Sequence, residues 1–171
     1  MEKNNQNNPL VTLVVPLYNV GEFLPRFFVA LSQQIFKDFL CLFVLDDSPD
    51  NTEQSLDECV GRYSDLSCRI LHKPNREGLG KARDFALDSG LIGSKYVIFV
   101  DADDTPQPAF LEKMVAKAEK TGADITFCGF RRVDEKTGKE ISVEMVHNPE
   151  SLCSDEFSDL VCYFNPATCP G

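Results

Sequence analysis

No two cysteines in this chain stand at CxxC spacing, although there are seven: Cys41, Cys59, Cys68, Cys128, Cys153, Cys162 and Cys169. The odd count and the missing spacing argue against a zinc ribbon or a compact disulfide framework. Those at apolar-periodic positions read as small buried hydrophobes, in a reducing compartment such as the cytosol. Long apolar runs are missing too. Leu10 to Val15 stops at Pro16, and nothing later reaches the about 18 uninterrupted apolar residues of a membrane span. Membrane attachment would then run through surface contacts or through sequence not present here. Positive charge is scarce, with 17 Lys and Arg against 27 Asp and Glu, a formal charge of −10 at pH 7. Such a chain lacks the field that drives non-specific nucleic-acid binding, and a phosphate-bearing ligand would need a local cation or a metal. The two histidines, His72 and His147, have no spaced partners and read as structural. No GxGxxG follows the first apolar strand, which disfavours an ordinary dinucleotide fold. No GxxxxGK[ST] or GxSxG occurs, which removes the P-loop and the nucleophile elbow.

What is present suits an ordinary globular domain. The chain has 171 residues, 43% hydrophobic and 26% charged, enough to bury a core without a staple. Residues 1–9 read as a polar, Asn-rich, flexible tail. Val11 to Val15 is a β-branched run ended by Pro16, a buried strand. Leu24, Phe27, Phe28, Leu31 and Ile35 form one helical stripe, with Pro25 in the first turn. Leu40 to Leu45 predicts a second strand, closed by the turn-forming Asp46-Asp47-Ser48-Pro49-Asp50-Asn51. Leu56, Cys59, Val60 and Tyr63 predict the next helix, and Cys68 to His72 a short strand. A glycine-bearing loop, Pro74 to Gly80, leads to a helix from about Lys81 to Ser89. Tyr96 to Val100 predicts a fourth strand, followed at once by Asp101-Ala102-Asp103-Asp104. Leu111, Met114, Val115 and Ala118 mark a helix, and Ile125 to Phe130 a fifth strand. Glu140 to Val146 alternates with period two after Thr137-Gly138, which predicts a hairpin. Ser154 to Phe164 fits one further helix.

Strands alternating with helices predict an α/β fold, a mostly parallel sheet with helices on both faces. Such sheets bind ligands beyond the carboxyl ends of their strands, near a topological switch point. Pro16 to Asn19, Asp46 to Asp50 and Asp101 to Asp104 fall at three such ends. They converge if strands one, two and four are neighbours.

Asp101 and Asp103 form a DxD motif, and alternate residues of an extended strand share a face. Their oxygens suit Mg²⁺ or Mn²⁺, which commonly bridge one or two carboxylates to substrate phosphates. Acidic residues are also ordinary in strand-to-helix loops. Asp47 has the chemistry to accept a uracil imide N–H, or to shape a turn, and Asp50 fits an Asx-turn. Tyr18 suits stacking on a base, or plain core. Arg83 suits a diphosphate, or a solvated surface.

Taken together these segments resemble family 2 glycosyltransferases, which use the GT-A nucleotide-sugar fold. The resembling segments are Val11-Thr12-Leu13-Val14-Val15-Pro16-Leu17-Tyr18-Asn19, Leu45-Asp46-Asp47-Ser48-Pro49-Asp50-Asn51-Thr52, Asn75 with Gly78 and Ala82-Arg83-Asp84, and Phe99-Val100-Asp101-Ala102-Asp103-Asp104. The resemblance covers about Leu10 to Phe130. It implies a Rossmann-like GT-A domain over 10–130. Residues 131–171 would hold a β-hairpin and the start of an acceptor-side region, truncated from a longer protein. It also implies roles: Pro16 and Tyr18 lining the nucleotide pocket, Asp47 on the base, Arg83 near the phosphates, and Asp101 and Asp103 holding Mn²⁺ or Mg²⁺. The implied reaction is inverting transfer from a nucleotide-diphosphate sugar, most often a UDP-sugar, to a saccharide or lipid-linked saccharide acceptor. The implied setting is bacterial surface polysaccharide synthesis in the cytoplasm or at the inner face of the membrane. The sequence departs from the family pattern at Ser48, which follows the Asp pair without an intervening Gly, and at Asp84, where Asn is commoner. No carboxylate among Asp134, Glu135, Asp155, Glu156 and Asp159 matches the family's catalytic base, so a non-catalytic donor-binding module is the alternative. Asp101-Ala102-Asp103-Asp104-Thr105 also fits the DxDx[TV] motif of phosphatases, but the earlier strands then go unexplained.

Overall fold

Four short strands pair side by side, and the two central ones are apolar runs buried on both faces. The computed structural model describes residues 8–134 and 137–144. The strands are β1 (Val11–Leu17), β2 (Phe39–Asp46), β3 (Cys68–Lys73) and β4 (Tyr96–Phe99), all parallel, in the order β3-β2-β1-β4. Every residue of β1 and β2 is buried, as expected for central parallel strands. Helices α1 (Leu24–Ser32), α2 (Thr52–Arg62) and α3 (Leu79–Asp88) make the crossovers. Phe28 of α1 stacks on Phe43 of β2 with ring centroids 5.2 Å apart. On the opposite face Val14, Leu42 and Val44 pack with Ala82 and Ala86 of α3. The small alanines let α3 lie close to the sheet, and the helices cover both faces.

The chain divides into two compact units, residues up to Lys113 and residues from Met114. Helix α4 (Phe110–Thr121) starts in the first unit, where Leu111 is buried. Buried Gln34 fixes the segment leading into it. Its amide donates to the Gln107 carbonyl at 2.9 Å, and its Oε1 accepts from Leu111 N–H at 3.2 Å. In the second unit β5 (Phe130–Val133) and β6 (Glu140–Glu144) form an antiparallel pair, which is the hairpin the alternation predicts.

Several boundaries differ from the sequence reading. β1 runs through Pro16 to Leu17. The Val14 carbonyl accepts from Val100 N–H, so the polar groups of Val14, and two residues on of Pro16, face the β4 side. The last β1–β4 pair is Val14 with Phe99, so the proline's missing donor falls beyond that ladder. α1 ends at Ser32, which leaves Ile35 56% exposed instead of in the stripe. Residues 125–129 form no strand, and Ile125 and Phe127 are exposed; β-propensity is a weak guide when the segment is not half-buried on a pleated surface. Ile141 and Val143 are exposed as well. Cys41 and Cys59 are buried, but Cys128 is exposed. Most of the predicted tail, Met145 and Val146 of the hairpin, the helix over Ser154 to Phe164, His147, Glu135 and the last three cysteines lie outside the described residues.

Candidate functional site

β1 lies between β2 and β4, so the segments after β1, β2 and β4 are neighbours at one edge of the sheet. The chain runs outward from β1 through β2 to β3, then returns to the other side of β1 as β4. That reversal is the topological switch point, where open α/β sheets hold ligands.

The loops after β1 and β2 are sewn together. Asn19 N–H donates to Ser48 Oγ at 2.6 Å, and Val20 N–H to Thr52 Oγ1 at 3.0 Å. Asp50 accepts from Gly21 N–H at 3.2 Å, from Thr52 N–H at 3.1 Å and from Ser48 Oγ at 2.8 Å. The Asx-turn expected of Asp50 is therefore present. Partial desolvation raises the Asp50 pKa, but the hydrogen bonds from Thr52, Ser48 and Gly21 outweigh it and hold the carboxyl below its usual range. Asn19 and Asp47 both adopt positive φ, 55° and 43°. Two such residues at two strand ends mark a locally constrained backbone.

The Asp46-Asp47 pair splits by environment. Asp46, 2% exposed, is 3.2 Å from Lys73 Nζ and accepts from Gly78 N–H at 3.1 Å. Lys73 also pairs with Glu77 at 2.6 Å and donates to the Asn75 carbonyl. Burial opposes the charge on Lys73, but Glu77 and Asp46 outweigh that and raise its pKa. Asp46 thus anchors the loop between β3 and α3, with Gly78 at φ 90° as its hinge. Asp47 is exposed at the sheet edge. The anchored loop brings the Arg76 guanidinium 4.0 Å over the Tyr18 ring. Tyr18 is half-buried, and Pro16 is buried just below it in β1.

The acidic segment after β4 is a turn and not an extended strand end, because Asp104 N–H donates to the Asp101 carbonyl at 3.1 Å. Arg83 Nη2 donates to Asp101 Oδ1 at 2.8 Å. Arg83 Nε is buried without a hydrogen-bond partner. Arg26 Nη2 donates to the Asp103 carbonyl at 2.6 Å, while the Asp103 residue is exposed. Desolvation and the charges of Asp103 and Asp101 raise the pKa of Asp104, against the opposing charge of Arg26. The carboxylates are therefore close enough to repel one another. Among the described residues no three His, Cys, Asp or Glu side chains converge as a ready cation cage. One or two carboxylates at such a turn would suit a cation that takes the rest of its coordination from ligand phosphates.

The structure thus brings Arg83 to Asp101 and places Pro16, Tyr18, Asp47 and Asp103 on adjoining strand ends. Sequence reasoning missed Lys73, Arg76 and Arg26. Lys73 carried one signal, a lysine directly before Pro74 at a strand end; the other two depend on loop and helix placement.

The family model described as Glycosyl transferase family 2 matches residues 12–166. The uncharacterized glycosyltransferase EpsJ of Bacillus subtilis is 32% identical over 122 residues, covering 71% of this chain and 34% of EpsJ. S. aureus TarS 1–349, solved with UDP-GlcNAc, is similar with a TM-score of 0.59 and 26% identity, over 67% of this chain and 32% of that one. The mannosyltransferase PcManGT of Pyrobaculum calidifontis, solved with GDP-Man and Mn²⁺, shares the fold with a TM-score of 0.58 and 24% identity, over 72% and 35%. The chain spans about a third to a half of the length of the first curated relatives it matches.

Proposed function

The chain belongs to glycosyltransferase family 2, and from that premise we propose that it binds a nucleotide-diphosphate sugar, in the first instance a UDP-sugar, at the carboxyl edge of β1, β2 and β4. The observation that carries this reading is the Arg83–Asp101 pair at 2.8 Å, which puts a fixed cation beside the acidic turn at the switch point. Tyr18 offers the base the ring face opposite the one that Arg76 covers, and Asp47 offers an acceptor for an imide N–H. Arg83, held by Asp101, offers a fixed positive charge to the diphosphate. Asp103, with Asp101 beside it, would hold Mn²⁺ or Mg²⁺. Such an ion would neutralise the charge that grows on the leaving diphosphate.

The reaction we assign is transfer of the sugar to an acceptor hydroxyl with inversion at the anomeric carbon, by in-line attack. The acceptors that fit the resemblance are saccharides or lipid-linked saccharides of bacterial surface polysaccharides, and the proposed setting is the cytoplasm or the inner face of the membrane. Among the described residues no helix is long and apolar enough to cross a membrane. The UDP-GlcNAc complex of TarS, at 26% identity, supports a uridine donor.

The test is incubation of the chain with radiolabelled UDP-sugars, Mn²⁺ and simple saccharide acceptors, with product anomers assigned by NMR. Transfer or slow donor hydrolysis supports the assignment, with an inverted anomer as its stereochemical mark. Tight UDP binding with neither reaction would make the chain a donor-binding module.

A further inference from the structure

Cys41 of β2 and Cys68 at the start of β3 are direct partners in the parallel ladder. Registered residues on neighbouring strands project from the same face, with the strands about 4.8 Å apart. A disulfide spans a Cα separation of about 4.4–6.8 Å, so the ladder spacing already lies within its reach. Neither sulfur is in a disulfide. Their surroundings differ. Cys41 is fully buried in an inner strand, while Cys68 is half-buried on an edge strand. The neighbouring Cys41 thiol lowers the Cys68 pKa although burial raises it. The same pairing, burial and the Cys68 charge push Cys41 well up. Thiolate character therefore falls on the accessible sulfur and the proton on the protected one.

We propose that Cys41 and Cys68 form a reversible dithiol–disulfide site oxidised by hydroperoxides, with Cys68 the attacking sulfur and Cys41 the resolving one. The Cys68 thiolate forms an S–O bond to the peroxide while the O–O bond breaks. The departing oxygen takes up the proton that Cys68 released and leaves as alcohol or water. The Cys41 sulfur then displaces the new hydroxyl from Cys68. The S–S bond forms, the S–O bond breaks, and the hydroxide leaves as water with the Cys41 proton. Two thiols lose two electrons in all, and the peroxide gains them. The bond fastens the edge strand β3 to β2 near the end opposite Asp46 and Lys73. Cys59, also buried, is an internal comparison. Burial raises its thiol pKa, so it is the poorer nucleophile.

The whole chain, reduced and then titrated with hydrogen peroxide, is alkylated and digested without reductant for mass spectrometry. Cleavage after Glu53 separates the peptide holding Cys41 from the one holding Cys59. The expected product is a Cys41–Cys68 cross-linked peptide pair that dithiothreitol reverses, formed at lower peroxide than any modification of Cys59. Cys41→Ala should replace the cross-link with a Cys68 sulfenic acid trapped by dimedone. The proposal is overturned if Cys41 and Cys68 stay alkylatable while other cysteines oxidise. It is equally overturned if Cys68 goes to sulfinic acid in the unsubstituted chain, or pairs with a different cysteine.

Discussion

Arg83 and Asp101, eighteen residues apart and on opposite sides of β4, meet through a 2.8 Å charge-assisted hydrogen bond at the switch point of the sheet. The pair is partly exposed, at 32% and 43% of each side chain, so its worth to folding is small. Its worth to an anionic ligand is larger. Arg83→Ala should weaken UDP binding roughly 10- to 100-fold and change stability by less than about 1 kcal/mol. Calorimetric titration beside a denaturant melt separates the two effects.

The Asp46–Lys73 pair is buried, with both side chains 3% exposed, and behaves in the opposite way. Lys73→Met leaves a buried carboxylate facing backbone donors only, and should cost about 3–5 kcal/mol in urea unfolding. Asp46→Ala should cost less, because Lys73 keeps Glu77 at 2.6 Å. If the second variant is the more damaging, the hydrogen bond from Gly78 N–H to Asp46 matters more to the loop than the ion pair does.

Asp50 gives the loop between β2 and α2 a pH signature. Its folded pKa is depressed, so its contribution is present above the usual carboxylate pKa of about 4 and is lost as pH falls through the lower folded value. Wild type should therefore be more stable than Asp50→Ala at pH 6, and the gap should close below about pH 4. Paired urea titrations across that range measure it.

Phe43 is fully buried and stacked on Phe28. Phe43→Ala should cost about 3–5 kcal/mol, and Phe43→Leu distinctly less. Equilibrium unfolding checks both.

The centre of the sheet was legible from the sequence because β1 and β2 are continuous apolar runs followed by turn residues. Val11 to Val15 and Leu40 to Leu45 have no competing helical periodicity. The strand-end rule predicts Tyr18, Asp47 and Asp101 on one edge, and the strand order makes the segments that carry them neighbours. The roles of Asp46 and Lys73 were hidden, since a cross-strand ion pair depends on the β2–β3 register. Arg76 was hidden because nothing local shows a loop folding back over Tyr18. Residues 125–129 misled because apolar content is visible in sequence, whereas the exposure of Ile125 and Phe127 is not.

The account rests on a nucleotide-diphosphate site at Tyr18, Asp47, Arg83 and Asp103, and thermal unfolding with UDP tests it most directly. Ligand at 100 times its Kd adds about 2.7 kcal/mol, a rise of roughly 5–10 °C for a chain of this size. The account predicts that rise with UDP and Mn²⁺ together, a smaller one with UDP alone, and its loss in Asp103→Ala. No shift with millimolar UDP or GDP, or an equal shift in Asp103→Ala, would contradict it.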